Sequence, residues 1–258
     1  MERKHGIPFN QEIAIMLISL LRPLVHLAII LPIIFLFQKK DKNNYLKLVF
    51  FSFCFLIYLI LTFLPKDLYT GQAKMYGNIM GTIWAILCYI IFNKYFPDSN
   101  YFKIKQDIKN TNSFIILSII SVISVILANI FVISHYSNIK SLLYNSLFLE
   151  ISEGIMFRGV LLGLLMSCTT NKKYFINNSC ILIIAILFGF ISQIYIDGNY
   201  TFYFVSRVGF IFIVFREYML GLLTIKSKSI IIPIIINIVL NLLVSLLFMV
   251  ILSAMKAG

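Results

Sequence analysis

The chain has 258 residues, of which 60% are hydrophobic and 12% are charged, and its mean hydropathy is +0.94. Soluble domains carry about 25% charged residues, so this composition excludes a cytosolic enzyme, a disordered tail and a secreted disulfide scaffold. The 22 Lys and Arg against 10 Asp and Glu give a formal net charge of +12. Most basic residues lie in short loops between apolar runs, where they set topology and contact anionic lipid headgroups. Membrane lipid is therefore an expected partner, and nucleic acid is not.

The apolar residues are grouped into runs long enough for membrane helices, which need about 20 predominantly apolar residues each. They predict an all-α, polytopic membrane helix bundle with about eight transmembrane helices. In chain order the predicted segments are Ile13–Phe37, Tyr45–Leu64, Tyr76–Phe92, Phe114–Ile133, Leu142–Met166, Phe175–Tyr195, Phe202–Thr224 and Ser229–Leu252. No second soluble domain fits between them, so the chain is expected to be a multi-pass protein of the cell membrane.

The distribution of basic residues bears on the orientation of this bundle. An even number of helices places both termini on the same side of the membrane. Basic residues are more numerous in the loops opposite the termini, which include the long polar linker at 93–112. The positive-inside rule therefore places this linker in the cytoplasm and favours an extracytoplasmic position for the termini.

Cysteines and histidines give no pattern of a metal or redox site. The four cysteines, which lie in or beside apolar runs without a C-x-x-C pair, are Cys54, Cys88, Cys168 and Cys180. We interpret them as buried free thiols. The three histidines are His5, His26 and His135. A zinc site needs three or four ligands at workable spacing, so neither a metal nor a cofactor is expected.

Ionisable residues inside the apolar segments are costly and usually face the bundle interior or a watery cavity. They are Arg22, His26, Glu150, Glu153, Arg158, Arg207, Arg216 and Glu217. Arg22 and His26 share one helical face because they are four residues apart. We interpret these two residues and Arg207 as parts of structural ion pairs between helices. Residues 150–158 follow a more specific pattern.

The fifth segment contains LEISEGIMFRGVLLGLL. This run resembles the first motif of the CPBP family, the CAAX proteases and bacteriocin-processing enzymes, which is also called the Abi family. That motif is Glu-Glu-x-x-x-Arg, often continued as Phe-Arg-Gly. Glu153 and Arg158 occupy its first Glu and its Arg, and Phe157 and Gly159 flank the arginine. Gly154 stands at the position of the second Glu.

Two later segments resemble the second and third motifs of the family. The run LFGFIS at 187–192 is similar to a Leu-Phe-Gly motif that ends in His, and Ser192 replaces that His. The run KSKSIIIPIIINIVLN at 226–241 is similar to the His-x-x-x-Asn motif, where Asn237 replaces the His and Asn241 keeps the Asn. The resemblance implies a CPBP-like four-helix core. We therefore divide one integral membrane domain into N-terminal helices and loops, 1–141, and core helices, 142–258.

The resemblance implies a site in which a Glu and a His activate water and a later His and Asn stabilise an oxyanion. The candidate catalytic positions are Glu153, Arg158, Ser192, Asn237 and Asn241. A serine hydroxyl cannot replace an imidazole as a general base near neutral pH, whereas an asparagine can still donate a hydrogen bond. We therefore expect a CAAX-protease-like protein with little or no peptidase activity.

Arg158 is expected to have a partner because an unpaired guanidinium in hydrocarbon is expensive. Gly154, four residues earlier, lacks the carboxylate that would best face it on a helix. Glu150 and Glu217 are the expected alternatives. We also expect the four other candidate positions to converge below the membrane surface.

Three functional classes remain open. The first is a degenerate family member that binds a protein partner, either in bacteriocin-type self-immunity or as a scaffold for a cell-envelope enzyme. Resemblance to the lysostaphin-resistance protein implies the scaffold role. The second is an active, divergent intramembrane CAAX-type peptidase that processes a peptide or membrane protein. The third is a small transporter or channel subunit, which often has an internal repeat, and this chain has none.

Overall fold

The computed structural model describes residues 9–37, 41–68, 73–96, 100–103, 111–131, 143, 145–168, 174–196 and 202–257. The helices are α1 (Phe9–Phe37), α2 (Lys42–Leu68), α3 (Ala73–Phe92), α4 (Thr111–Phe131), α5 (145–168), α6 (Tyr174–Gln193), α7 (Arg207–Ser227) and α8 (Ile231–Ala257). A 3₁₀ turn, Asn93–Tyr95, follows α3, and two short strands, β1 (Ile194–Ile196) and β2 (Phe202–Phe204), lie between α6 and α7. His5 and His135 lie outside the described residues.

The predicted membrane bundle is confirmed. Among the described residues, seven helices are long and apolar enough to cross a membrane. α6 contributes a shorter apolar stretch, Asn178–Gln193. Lipid provides no partner for backbone polar groups, so spanning segments must satisfy their hydrogen bonds internally, as these helices do.

Two predicted segments, Phe175–Tyr195 and Phe202–Thr224, are wrong at the ends that face each other, because these ends are not helical. They form an antiparallel ribbon in which β1 pairs with β2. Isoleucine, tyrosine and phenylalanine fit an extended strand as well as an apolar helix, so a short apolar run does not distinguish the two. α7 begins only at Arg207, because the Oγ of Ser206 accepts a hydrogen bond from the backbone N of Gly209 at 2.9 Å and caps the helix.

α5 lies at the centre of the bundle and is irregular. Of its membrane-spanning window, 72% is buried, against 6% for that of α8. Its successive parts are a π-helical Asn145–Leu149, an α-helical Glu150–Glu153, a π-helical Gly154–Leu161 and an α-helical Leu162–Cys168. Wide π turns are rare and frequently occur at functional sites. This irregular stretch carries the first motif.

Aromatic rings fix α5 against its neighbours. Phe157 is buried and makes edge-to-face contacts with Phe55, Tyr58 and Phe188, with ring centroids 6.5, 5.7 and 5.0 Å away. Such aromatic pairs add to the stability from apolar burial. These contacts join α5 to α2 on one side and to α6 on the other.

Gly159 permits a second close approach to α5. A Cβ atom there would lie 2.6 Å from the ring of Phe102, which is too close for any real side chain. The glycine that follows the motif arginine therefore has a packing reason, since Phe102 occupies the space beside the helix.

The turn between α7 and α8 sets where the third motif begins. Lys228 has a φ of 52°, a left-handed conformation that ends α7. The Oγ of Ser227 donates to the carbonyl of Ser229 at 2.9 Å, and the backbone N of Ile231 donates to the Oγ of Ser229 at 3.2 Å. α8 consequently starts at Ile231.

Candidate functional site

The two asparagines of the third motif bind the carboxylate of Glu150. The Nδ2 of Asn237 donates to Oε2, and the Nδ2 of Asn241 donates to Oε1. The asparagines lie one helical turn apart on α8, so both reach the same acid on α5. Glu150 is 4% exposed, and neither asparagine Oδ1 has a hydrogen-bond partner among the described residues. We call this arrangement the Glu150 clamp.

Arg158 is paired with Glu217, one of the two acids expected from the sequence. Its Nε donates to Oε2 of Glu217 at 3.2 Å. The other carboxylate oxygen, Oε1, lies 3.1 Å from Nε and 3.0 Å from Nη2 of Arg216. One buried carboxylate thus lies between two guanidinium groups and joins α5 to α7.

The neighbourhood of Gly154 accounts for the missing second Glu of the first motif. A Cβ atom on Gly154 would overlap the side chain of Ile234 and would lie 3.4 Å from Nη1 of Arg158. A side chain here would therefore point toward the arginine, but an isoleucine from α8 fills that space. Glu217 supplies from α7 the charge that a second Glu would supply from α5.

Three of the five candidate positions line one cavity of about 280 Å³. Glu153, Ser192 and Asn241 line it together with Glu150, and Asn237 lies behind Glu150 through the clamp. Arg158 is not part of the lining. It is linked to the cavity through Glu217 and Arg216, whose side chain does line the cavity. The structure therefore brings the candidate positions together, although Asn237 and Arg158 reach the cavity only through other residues.

Ser192, at the position of the motif His, is bonded within its own helix. Its Oγ donates to the carbonyl of Phe188 at 2.9 Å. This hydroxyl donates its hydrogen to a helix carbonyl, and a serine hydroxyl is too weak a base to take the proton from a nucleophilic water near neutral pH.

Sequence reasoning missed the part of the cavity wall that comes from the N-terminal helices. Tyr58 and Phe63 of α2 and Asn129 of α4 line the cavity. The hydroxyl of Tyr58 lies 2.9 Å from the Oγ of Ser152 and so joins α2 to the motif helix. These residues belong to no motif. One signal for them existed, because Tyr58 and Thr62, which also lines the cavity, are four residues apart on one face of an apolar helix.

The charged residues of α1 and the start of α7 lie away from the cavity lining. The guanidinium of Arg22 lies over the ring of Phe63, 5.2 Å from its centroid. The Nε2 of His26 lies 3.2 Å from the carbonyl oxygen of Phe190. These contacts hold α1 against α2 and α6, and among the described residues His26 bonds a backbone carbonyl where an ion pair was predicted. Arg207 is exposed at the first residue of α7.

The four cysteines are buried and none of them forms a disulfide bond, as interpreted from the sequence. In the part of the chain that the structure describes, no group of three or more His, Cys, Asp or Glu is placed to hold a metal ion.

Comparison with known proteins agrees with the motif resemblance. Residues 135–243 match the family described as Type II CAAX prenyl endopeptidase Rce1-like. This range contains α5, α6, α7 and the part of α8 that carries Asn237 and Asn241. Neither a curated protein nor a solved structure matches the chain. The chain is a multi-pass membrane protein, and its residues 135–243 are Rce1-like.

Proposed function

We propose that this protein is a CPBP-family member that acts by binding and not by hydrolysing peptide bonds, in bacteriocin-type self-immunity or as a membrane scaffold for a cell-envelope enzyme. The Glu150 clamp carries the proposal. Oxyanion stabilisation needs donors aimed at the oxygen on which negative charge develops. The Nδ2 groups of Asn237 and Asn241 are instead occupied by a carboxylate, which repels an oxyanion at the same place.

The proton-transfer side of the site supports the same proposal. Glu153 lines the cavity, but the neighbouring motif position is Ser192, whose hydroxyl is bonded to Phe188. His26 contacts Phe190 and is not part of the lining. Loss of a positioned acid–base group costs about 10²–10⁴-fold in rate, and loss of an oxyanion donor about 10²–10³-fold. The penalties need not multiply, but either one leaves a slow enzyme.

The polar groups that remain are arranged to hold a shaped cavity. The Glu150 clamp joins α5 to α8, and Glu217 joins α5 to α7 through Arg158. Walls from α2, α4 and α6 complete a concave site of about 280 Å³. A concave site with a few fixed polar groups is a typical recognition site. We infer that the core helices of 142–258, together with α2 and α4, form the surface that recognises a protein partner.

One observation favours the second candidate, a divergent peptidase. The Glu153 side chain lines a cavity with room for water and a peptide group. A carboxylate can act as a general base when water lies within hydrogen-bond reach. Among the motif positions, Glu153 would then be the residue that transfers protons during peptide hydrolysis.

The two candidates are separated by measuring cleavage in cells. Strains of the natural host carry the wild-type gene, Glu153→Gln, or Asp41→Asn, which is a matched control at an exposed position before α2. New protein termini in membrane fractions are quantified by mass spectrometry. We expect the same termini in all strains. A terminus that is present with wild type and Asp41→Asn but absent with Glu153→Gln would contradict the binding function.

Two further observations separate the two binding roles. Sensitivity of the gene-deleted strain to a peptide made by the same host supports immunity. Co-purification of a cell-wall hydrolase with the protein supports the scaffold. Neither outcome requires cleavage of the partner.

A further inference from the structure

We propose that the cavity binds a primary ammonium group, carried by the N-terminus or a lysine side chain of a peptide partner. This inference rests on the proposed binding function and names the chemistry that the cavity recognises. Glu150 and Glu153 both line the cavity and supply negative charge. The cation of the lining, Arg216, is bonded through Nε and Nη2 to Oε1 of Glu217. Glu217 also binds Arg158, so the two arginines and the three acids at the cavity and behind its wall leave one excess negative charge.

Unpartnered buried oxygen atoms give independent support. Gln193 lines the cavity and is 2% exposed, and its Oε1 has no hydrogen-bond partner in the described part of the chain. Asn241 also lines the cavity, and its Oδ1 likewise has no hydrogen-bond partner among the described residues. Buried polar atoms are nearly always hydrogen-bonded in native structures. An ammonium group has three donors and no acceptor, so it matches oxygen atoms of this kind.

A carboxylate or phosphate fits the same wall poorly. Its oxygen atoms would face the acceptors of Gln193 and Asn241 and the carboxylate of Glu153. Two arginines that would favour an anion do not line the cavity. Arg158 is bonded to Glu217 at 3.2 Å, and Arg22 lies over the ring of Phe63. The lining therefore favours a cation.

Aromatic rings form much of the remaining wall. The rings in the lining belong to Tyr58, Phe63, Phe157, Phe188 and Phe248. The face of an aromatic ring attracts a cation, and desolvated sites strengthen this attraction. The wall already holds one such contact, since Cζ of Arg216 lies 5.5 Å from the centroid of Phe188. Carboxylates, amide oxygens and ring faces together suit an alkylammonium group.

The test measures thermal unfolding of the purified full chain in lipid nanodiscs. The probe is n-butylammonium chloride, and the controls are n-butanol, sodium butyrate and sodium chloride at equal concentration. At ten times its Kd, a ligand of the folded state raises the Tm of a chain of this size by roughly 3–6 °C. We expect this rise with butylammonium alone. No rise, or an equal rise with butanol, would overturn the proposal.

Variants locate the site. Glu153→Gln and Gln193→Leu should each weaken butylammonium binding by roughly tenfold or more, because hydrogen bonds to charged groups are strong. Asp41→Asn, outside the cavity, should bind as wild type does. If Glu153→Gln does not yield folded protein, Gln193→Leu decides, since it changes neither charge nor size greatly. Undiminished affinity in the folded variants would contradict the proposed site.

Two peptides identify the source of the ammonium group. One has a free N-terminus and no lysine, and the other is N-acetylated and has a single lysine. A Tm rise with one of them names the source, and no rise with either contradicts a peptide ligand. Cleavage of a peptide that Glu153→Gln abolishes would contradict the proposed binding function. Absence of a Tm rise without cleavage would contradict only the ammonium inference.

Discussion

Glu217 is the residue whose replacement should destabilise the bundle most clearly. Its carboxylate is the acid bonded to both Arg158 and Arg216, and the three side chains lie in the interior. Glu217→Gln keeps the size of the side chain but removes the negative charge. The guanidinium groups of Arg158 and Arg216 would then share a buried site without the acid that joins them. These two residues are only 1% and 8% exposed.

The expected size of the effect follows from the burial of these groups. Removing one partner of a buried ion pair costs about 3–5 kcal/mol, because it leaves an uncompensated charge. Two cations are left here, so we expect the upper part of that range. For a chain of this size, 1 kcal/mol corresponds to about 2–4 °C in Tm. Glu217→Gln should therefore lower Tm by roughly 8–20 °C.

The assay is thermal unfolding of the purified protein in lipid nanodiscs. Arg158→Met should cost less in the Glu217→Gln background than in wild type, with a coupling of about 1–3 kcal/mol. The matched control is Arg207→Met, at an exposed position, which should change stability by about 0.5 kcal/mol or less. A Tm loss below about 2 °C for Glu217→Gln, or strictly additive effects in the double variant, would refute the reasoning.

Three further variants test the packing around the cavity by the same unfolding assay. Gly154→Ala should cost about 1–3 kcal/mol, because its Cβ overlaps Ile234, and Ile234→Ala should recover part of this loss; no recovery would contradict the overlap. Tyr58→Phe should cost about 0.5–1.5 kcal/mol, and Ser152→Ala should add little in that background if the two hydroxyls are bonded. Asn241→Leu should cost about 1–3 kcal/mol by releasing one oxygen of its carboxylate partner, and an unchanged Tm would argue against the clamp.

The helical bundle was predictable because lipid permits few structures. A run of about 20 apolar residues has to satisfy its backbone internally, and a helix does so. The failure between α6 and α7 has a local cause. Residues such as Ile194 and Phe204 suit both a strand and an apolar helix, and they pair across a short connection that an apolar pattern does not reveal.

Motifs in the sequence predicted some residues of the site, whereas the residues brought there by packing between helices could not be predicted. Ordered motifs located Glu153, Ser192 and Asn241, which line one cavity. The sequence did not predict that Glu150 accepts hydrogen bonds from two asparagines, because this clamp depends on how α8 packs against α5. The π-helical turn of Gly154–Leu161 also departs from 100° per residue, so a regular helical wheel describes this stretch poorly.

The composition of the apolar segments limited the possible partners of Arg158 but did not identify the partner. Few acids lie inside the apolar segments, so the candidates could be reduced to Glu150 and Glu217. Both acids are buried, Glu150 on the arginine's own helix and Glu217 on α7. The asparagines of α8 bind the first acid and leave the second for Arg158, and this division follows only from tertiary structure.

Peptidase activity of the purified protein tests the central claim most directly. The full chain in lipid is incubated with a library of membrane-spanning peptides, and products are quantified by mass spectrometry against Glu153→Gln and Asp41→Asn. The account predicts that wild-type protein forms no more product than Glu153→Gln, because the donors of Asn237 and Asn241 are bound to Glu150. Cleavage by wild type and Asp41→Asn that is absent with Glu153→Gln would contradict it.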